Sequence, residues 1–445
     1  MSLRDHIQKL ANNDELITVQ KAISKKYEIS GVLKKLEPQT VLFERVTESP
    51  FQVIGNLFCN KEQFADYFGI NIKDIIPKLT AAIKSPVKPD SSQIVQAGNA
   101  ACQQVIHLEP DLNQLPIPLH FDGDGGCYIT AGVVFARHPA YGQNMDFHRC
   151  MQFSSNQMAV RVVKGRHFHH FLEELGKVDV AICIGNSPEI LAAAATSVDL
   201  GVDEISIATA LANICGMTPP QLTQAKTVDL LIPAQTEFVI EGTVYRDQTH
   251  VEGPFVDLTE TQDICRQEPV LGISAITHRE DAIWQALLPG SLEHKLLMGM
   301  PREPTIYQAV NRVVKCLDVN INPGGCSWLH AVVQIDKQNK EDGKLAIAAA
   351  FAGHRSCKHV FIVDRDIDIY DPLQVEWAMA TRFQGDRDMI ILDKEPGSSL
   401  DPSAEPGTKL TTKIGFDLTA PVGESRKHFE KVPYPAIDLN RFLSF

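Results

Sequence analysis

The chain has 445 residues, length for roughly two to four domains with ample core in each. Hydrophobic residues make up 44% and charged residues 22%, the composition of an ordinary soluble globular protein. Fifty-five acids against 42 Lys and Arg leave a formal charge of −13 with no long basic run, which excludes nucleic acid and anionic membranes as expected partners.

The opening "MSLRDHIQKLANNDELI" is charged from its third residue and reads as no secretory signal. Leu3, Ile7 and Leu10 recur at helical spacing and predict an amphipathic helix. "TVLFERV" and "FQVIGNLF", separated by "TESP", predict a strand pair, and "KEQFADYFG" and "IKDIIPKLTAAIK" predict helices. The proline-spaced "LEPDLNQLPIPLHFDGDGG" reads as a connector. Strand-like runs follow in "YITAGVVFARH", "QMAVRVV" and "VDVAICIG", interrupted by the helices "SPEILAAAATS" and "EISIATALANI" and resumed by "DLLIPAQTEFVIEGTVY". Past residue 300, "TIYQAVNRVVKCL" and "PLQVEWAMATR" predict helices, and "WLHAVVQID" and "KHVFIVD" predict buried strands. "KEPGSSLDPSAEPGTK" predicts a surface loop. No internal repeat is present. No apolar run reaches the roughly 20 residues that span a bilayer. The ten cysteines are scattered singly with no CxxC pair, so the expected compartment is the cytoplasm.

Several polar clusters stand out against this background. "THVEGPFVDLTE" sets Glu252 before Gly253-Pro254 and follows with Asp257; alone, it reads as a turn with solvated acids. "NMDFHRCMQF" carries Asn144 and Arg149 and fits a polar sheet edge. "KGRHFHHFLEE" contains His167, His169 and His170, which point in different directions on a helix and so bring at most one or two to the same ion. Asp203 and Glu204 in "SVDLGVDEIS" stand at a helix start, where acids favour the dipole. "HVFIVDRDIDIYD" gathers acids after a buried strand, a pattern open to a magnesium-site reading.

Together, Asn144, Arg149, His167, Glu204, Glu252 and Asp257 resemble, in order and spacing, the UbiD family of prenylated-FMN-dependent decarboxylases. The carrying segments are "NMDFHR", "GVDE" and "VEGPFVD", with "PAQTEFVIEGTV" and "VDRDIDIYD" in support. The resemblance implies an α/β (α+β) chain in three parts. These are an N-terminal α/β domain (residues 1–115), a split β-barrel that binds prenylated FMN (116–300), and a C-terminal α/β domain with oligomerisation elements (301–445). It implies that Asn144, His167 and Glu204 hold a divalent ion, Mn2+ or another, bridging to the cofactor phosphate, with K+ as a further ion. Glu252, Arg149 and Asp257 become the catalytic residues, and Asn144, Arg149, His167 and Glu204 the cofactor-binding ones. Asp257 departs from the Glu of well-known members, and its side chain is one methylene shorter.

The implied reaction is non-oxidative, reversible decarboxylation of an aromatic, heteroaromatic or α,β-unsaturated acid through a covalent prenylated-FMN adduct, releasing CO2. Glu252 would protonate the vacated carbon, which requires a carboxyl desolvated enough to hold a proton. Arg149 would orient the substrate carboxylate. His294 and Arg302 in "LEHKLLMGMPREP" resemble a pair that lines the pocket in the furandicarboxylate-type branch. Leu329 stands near the place of another Arg of that branch, which points to a mono-acid such as a furoate, pyrrole or indole carboxylate and leaves an alkenoic acid open. The family implies a homodimer or higher assembly and a separate flavin prenyltransferase that supplies the cofactor. Two rival readings are a non-catalytic flavin-binding homologue and a metal-dependent hydrolase built on "DRDID".

Overall fold

The computed structural model of the chain describes residues 2–438, 441 and 442. The first helix, Leu3–Asn12, is closed at its start by a capping box between Ser2 and Asp5, and it buries Leu3, His6, Ile7 and Leu10. The predicted strand pair forms as Thr40–Phe43 antiparallel to Gln52–Gly55. With Leu16–Val19 these make a small sheet, completed by Ile283–Gln285, which returns from the central part of the chain to lie parallel to Gln52–Gly55. The N-terminal layer is thereby tied to the centre through backbone hydrogen bonds.

A nine-stranded sheet forms the centre. Its strands lie in the order Cys127–Ile129, Cys150–Gln152, Gln157–Val160, Arg266–His278, Phe238–Glu252, Lys177–Ile184, Val133–His138, Gly142–Phe147, with Val105–His107 added beside Arg266–His278. Strands at opposite ends of this order are joined by very short links. Only His148 and Arg149 separate Phe147 from Cys150, a step of at most about 11 Å. Thr130, Ala131 and Gly132 join Ile129 to Val133 in the same way. The sheet must therefore curl until its two ends meet, and Arg149 stands at the seam. The run "YITAGVVFARH", predicted as one strand, breaks into two because the chain crosses that seam.

Both faces of the curled sheet are covered. Along Lys177–Ile184, Val180, Ile182 and Ile184 enter one core with Phe168 and Phe171, while Ala181 and Cys183 enter the other with Ile190 and Ile207. Burial on both faces explains why this strand reads as continuous apolar sequence rather than alternation. The helices Pro188–Ala194 and Glu204–Ile214 form at the predicted places.

The last third is a five-stranded sheet in the order Cys316–Asn320, His330–Ile335, His359–Asp364, Leu410–Asp417, Met389–Pro396, with the middle three parallel. Helix Asp342–Gly353 makes the crossover that parallel neighbours need and packs on one face; Pro372–Arg382 packs on the other. The predicted helix from Thr305 ends at Asn311, and Cys316–Asn320 is a strand whose residues Val319 and Cys316 join the core. The loop after Pro396 is less exposed than its composition suggests: Ser398 and Asp401 are buried, and Asp401 pairs with Lys358 at 2.9 Å. All ten cysteines are free, and no helix of the described residues is long and apolar enough to cross a membrane.

Candidate active site

Strands Phe238–Glu252 and Arg266–His278 form one long antiparallel pair, and their register sets Glu252 opposite Arg266. Beyond that last rung the chain turns at Gly253, whose φ of +97° favours glycine, and continues through a cis peptide into Pro254. A short ladder, Phe255–Val256 against Gln262–Asp263, then folds the tip back. One hairpin thus presents Glu252, Asp257, Asp263 and Arg266 together. Gly125 locks it from outside: its N–H donates to the Pro254 carbonyl at 2.8 Å, and a Cβ there would lie 2.2 Å from the Gly253 oxygen.

Arg149 reaches this hairpin from the seam. Its Nε and Nη2 donate to the two oxygens of Glu252 at 2.8 and 3.0 Å, Nη1 to Asp257 at 2.6 Å, and Nη2 also to Asp263 at 2.9 Å. The shorter side chain of Asp257 therefore does reach the guanidinium. The Arg149 side chain is only 9% exposed and that of Glu252 is fully buried, so these charge-assisted bonds lie in a largely dry environment. Burial works against the Arg149 charge, but Glu252, Asp257 and Asp263 outweigh it and raise its pKa. Phe255 lies under the guanidinium at 4.5 Å. Tyr128 donates to Glu252 Oε1 at 3.0 Å, and burial, then the Glu252 charge, raises the phenol well above its ordinary value. Glu252 accordingly accepts from three donor atoms on two side chains.

Asp263, Arg266 and Tyr128 were not among the residues expected from sequence. Asp263 is gripped by Arg266 at 2.6 and 2.7 Å while it holds Arg149. No local sequence signal marks this pair; the strand register, which sets Arg266 opposite Glu252, emerges only in the structure. Burial alone would raise the Asp263 carboxyl, but the Arg266 hydrogen bonds and the Arg149 charge pull it down to about 2. A carboxylate lowered in this way stabilises the fold above its unfolded value of about 3.9, and the contribution is lost as pH falls through the folded value. Asp263→Asn should therefore be less stable by about 2 kcal/mol at pH 7. Denaturant melts should show the gap closing from about pH 4 downward.

The second constellation is Asn144, His167 and Glu204. Asn144 sits on Gly142–Phe147, next to the seam; His167 and Glu204 are the first residues of helices His167–Leu175 and Glu204–Ile214. The Asn144 amide lies 2.8 Å from His167 Nδ1, and His167 Nδ1 is 3.6 Å from Glu204 Oε1. With the amide nitrogen turned toward them, Asn144 donates to both His167 and Glu204. Burial raises the Glu204 carboxyl, and the nearby Glu204 carboxylate raises the His167 imidazole. Asp203 caps the helix by accepting from Ile205 N at 3.1 Å, as its position predicts. One amide, one imidazole and one carboxylate, with the charge of Asp146 felt nearby, make a donor set that fits a hard divalent cation. Among the described residues no three His, Cys, Asp or Glu cluster as a metal site; this trio has two of them and an amide. His169 is half-buried and His170 exposed, as the helix geometry requires.

His294 lies within electrostatic reach of Asp257 and Arg149, and burial lowers its pKa. Its Nδ1 accepts from Gly290 N at 3.1 Å, which puts the proton of the neutral ring on Nε2. Arg302 stacks on Trp328 at 5.5 Å. The "DRDID" acids engage arginines: Arg382 binds Asp364 at 3.1 Å and Asp366 at 2.6 Å, and Arg426 binds Asp364 at 3.2 Å.

Residues 7–83, 93–292 and 295–418 match the N-terminal, Rift-related and C-terminal domains of 3-octaprenyl-4-hydroxybenzoate carboxy-lyase, UbiD. Anhydromevalonate phosphate decarboxylase of Methanosarcina mazei is 40% identical over 98% of this chain and 100% of its own length. The enzyme of the same name from Methanocaldococcus jannaschii is 38% identical over 96% and 100%. The UbiD-class enzyme HmfF of Pelotomaculum thermopropionicum, solved with FMN, superimposes with a TM-score of 0.94 at 34% identity, covering 100% of both chains. An evolved dimeric form of HmfF, solved with prenylated FMN, superimposes at 0.90 and 33% identity over 99% of this chain and 100% of that one. With all three family domains matched in order between residues 7 and 418, and relatives that are decarboxylases, the chain belongs to the UbiD family of prenylated-FMN-dependent carboxy-lyases.

Proposed function

We propose that the protein catalyses non-oxidative decarboxylation of an α,β-unsaturated acid, with Glu252 as proton donor and Arg149 as the group that orients the substrate carboxylate. The observation that carries this reading is the buried grip of Arg149 on Glu252, shared with Asp257 and Asp263. A substrate carboxylate competes with Glu252 for the guanidinium. Asp257 and Asp263 keep Arg149 in place while its bonds to Glu252 are given up; the released Glu252 carboxylate then takes up a proton from solvent and delivers it to the carbon that loses CO2. Tyr128 stays a phenol and steadies Glu252 throughout. Asn144, His167 and Glu204 would hold a divalent ion, Mn2+ being the expected one, with K+ as a further ion. When bound, the prenylated FMN supplies the electron sink for the cleaved bond.

Among the aromatic, heteroaromatic and α,β-unsaturated acids expected from sequence, similarity favours the last, in aliphatic form. The relatives at 38–40% identity act on anhydromevalonate phosphate, by its name a dehydrated, phosphorylated aliphatic hydroxy acid. A phosphorylated alkenoic acid is therefore the substrate class that similarity favours. The reading includes a cytoplasmic homodimer or higher assembly and a flavin prenyltransferase as cofactor supplier. It is tested by producing the chain with a flavin prenyltransferase and offering it anhydromevalonate phosphate. A flavin-like absorption band together with CO2 release supports the reading; a flavin band without CO2 release from any unsaturated acid indicates a non-catalytic homologue, and turnover without flavin indicates a hydrolase.

The ion site makes its own prediction. Glu204→Ala should lower bound manganese and flavin together, by at least the roughly 10–100-fold that loss of even an outer-shell partner costs a metal site. Elemental analysis and the visible spectrum of the purified variant read this out, and His169→Ala and His170→Ala should retain both. Full manganese with bound flavin in Glu204→Ala would remove Glu204 from the ligand set.

A further inference from the structure

Strand Val105–His107 lies antiparallel to the end of Arg266–His278, with His107 opposite Ile276 and Val105 opposite His278. His107 and His278 are thus diagonal neighbours on one face of the pair, within reach of each other's rings. The rings stack with centroids 5.2 Å apart and planes 21° from parallel, and their Nε2 atoms approach to 3.1 Å. Neither histidine belongs to the sites described above.

The His278 ring is buried and fixed on all sides. Its Nδ1 donates to the Arg279 carbonyl at 2.6 Å, so the lone pair of the neutral ring lies on Nε2. Phe51 meets the ring edge-on at 4.9 Å, and Phe238 packs against it at 5.5 Å. A backbone carbonyl on the far nitrogen is the contact that sets the tautomer and orientation of a metal-binding histidine. His107 is exposed, and its Nε2–H donates to the His278 lone pair.

Two nitrogen ligands about 2.0–2.1 Å from one ion, at an angle of about 90–109°, stand about 3.0–3.4 Å apart. The 3.1 Å between the two Nε2 atoms falls inside that range. Both imidazoles line a cavity of about 30 Å³, together with Glu109 and Asp111. Such a space takes one or two bodies the size of a water. One oxygen of Asp111 is engaged by Asn113 N at 3.0 Å. Glu109 is exposed and makes no hydrogen bond or ion pair among the described residues. No three His, Cys, Asp or Glu are already gathered there among the described residues, so the ion would be held by two imidazoles, with Glu109 drawn in from the rim and water completing the set. Imidazole and carboxylate ligands in a site of this size suit zinc.

We propose that His107 and His278, with Glu109, form a zinc site that fastens strand Val105–His107 to the central sheet. That strand lies in the segment running from the N-terminal helices to strand Cys127–Ile129, and the ion ties this segment down. On binding, the proton of His107 Nε2 is replaced by one on Nδ1 of the same exposed ring, and both Nε2 lone pairs turn to the ion. The site shares no residue with Asn144, His167 and Glu204, and it offers two imidazoles where that trio offers one.

The test takes the full chain, purified with its flavin and manganese, equilibrates it with zinc and removes the excess. Elemental analysis should find one zinc per chain with manganese undiminished, and zinc should raise the Tm. His107→Ala, at an exposed position, should weaken zinc binding by at least about 10–100-fold, since loss of even an outer-shell partner costs a metal site that much. It should also abolish the gain in Tm, while manganese, flavin and decarboxylation stay at wild-type levels. Glu109→Gln should weaken zinc binding by a smaller factor. Cu2+ added to the wild type gives a readout that needs no variant: its EPR spectrum should show splitting from two nitrogens. Wild type that retains no zinc, zinc gained only as manganese is lost, equal zinc in His107→Ala, or a copper spectrum without nitrogen splitting would each overturn the proposal.

Discussion

Glu252→Gln should lower turnover by about 10²–10⁴-fold. The amide keeps the shape of the side chain and one acceptor oxygen but has no proton to transfer. It also breaks the two-pronged contact with Arg149, because an amide nitrogen facing Nε or Nη2 sets donor against donor. Flavin and metal content should stay at wild-type levels, since Glu252 touches Arg149 and Tyr128 and neither belongs to the Asn144, His167, Glu204 group. Glu252→Asp should be milder but still serious, because displacements of about 1 Å degrade a near-attack geometry. Turnover of Glu252→Gln at the wild-type rate would return Glu252 to the role of a turn acid.

Arg149→Met should be the most damaging change to stability, at about 3–5 kcal/mol. Removing the guanidinium leaves Glu252 fully buried and Asp257 and Asp263 mostly so, three acids facing one another with only Arg266 still holding Asp263. Adding Glu252→Gln to this variant should recover part of the loss, since it removes the most deeply buried of the stranded charges, so the two changes will not add. Thermal unfolding of both single variants and the double variant checks this. Strict additivity would show that Arg149 and Glu252 are not energetically coupled.

Much of the architecture was legible because local signals agreed with it. The capped first helix, the buried strand Lys177–Ile184 and the Asp203 cap all follow from residue patterns a few positions long. Strand Arg266–His278 was not legible, because Pro269 and Gly272 both argue against a strand. The structure accommodates them at irregularities: Pro269 pairs with Thr249 where the register slips after Tyr245, and the Gly272 oxygen approaches Gly242 so closely that a Cβ there would lie 2.2 Å away. Missing that strand meant missing Arg266 and, with it, Asp263. The seam that carries Arg149 was hidden for a related reason. It joins strands from opposite ends of the sheet order, and no local pattern reports which strands are spatial neighbours. Asn144, His167 and Glu204 come from a strand and two helix starts, and only their family spacing suggested that they meet.

The central claim is that Glu252 delivers a proton to the carbon that loses CO2. Its most direct test is decarboxylation in deuterated water by the flavin-loaded enzyme, with deuterium at the vacated carbon followed by NMR in the wild type and in Glu252→Gln. The account predicts one deuterium per CO2 released by the wild type, and loss of both release and exchange at that carbon in Glu252→Gln, with the flavin spectrum unchanged. Deuterium incorporation by Glu252→Gln at the wild-type rate would contradict it.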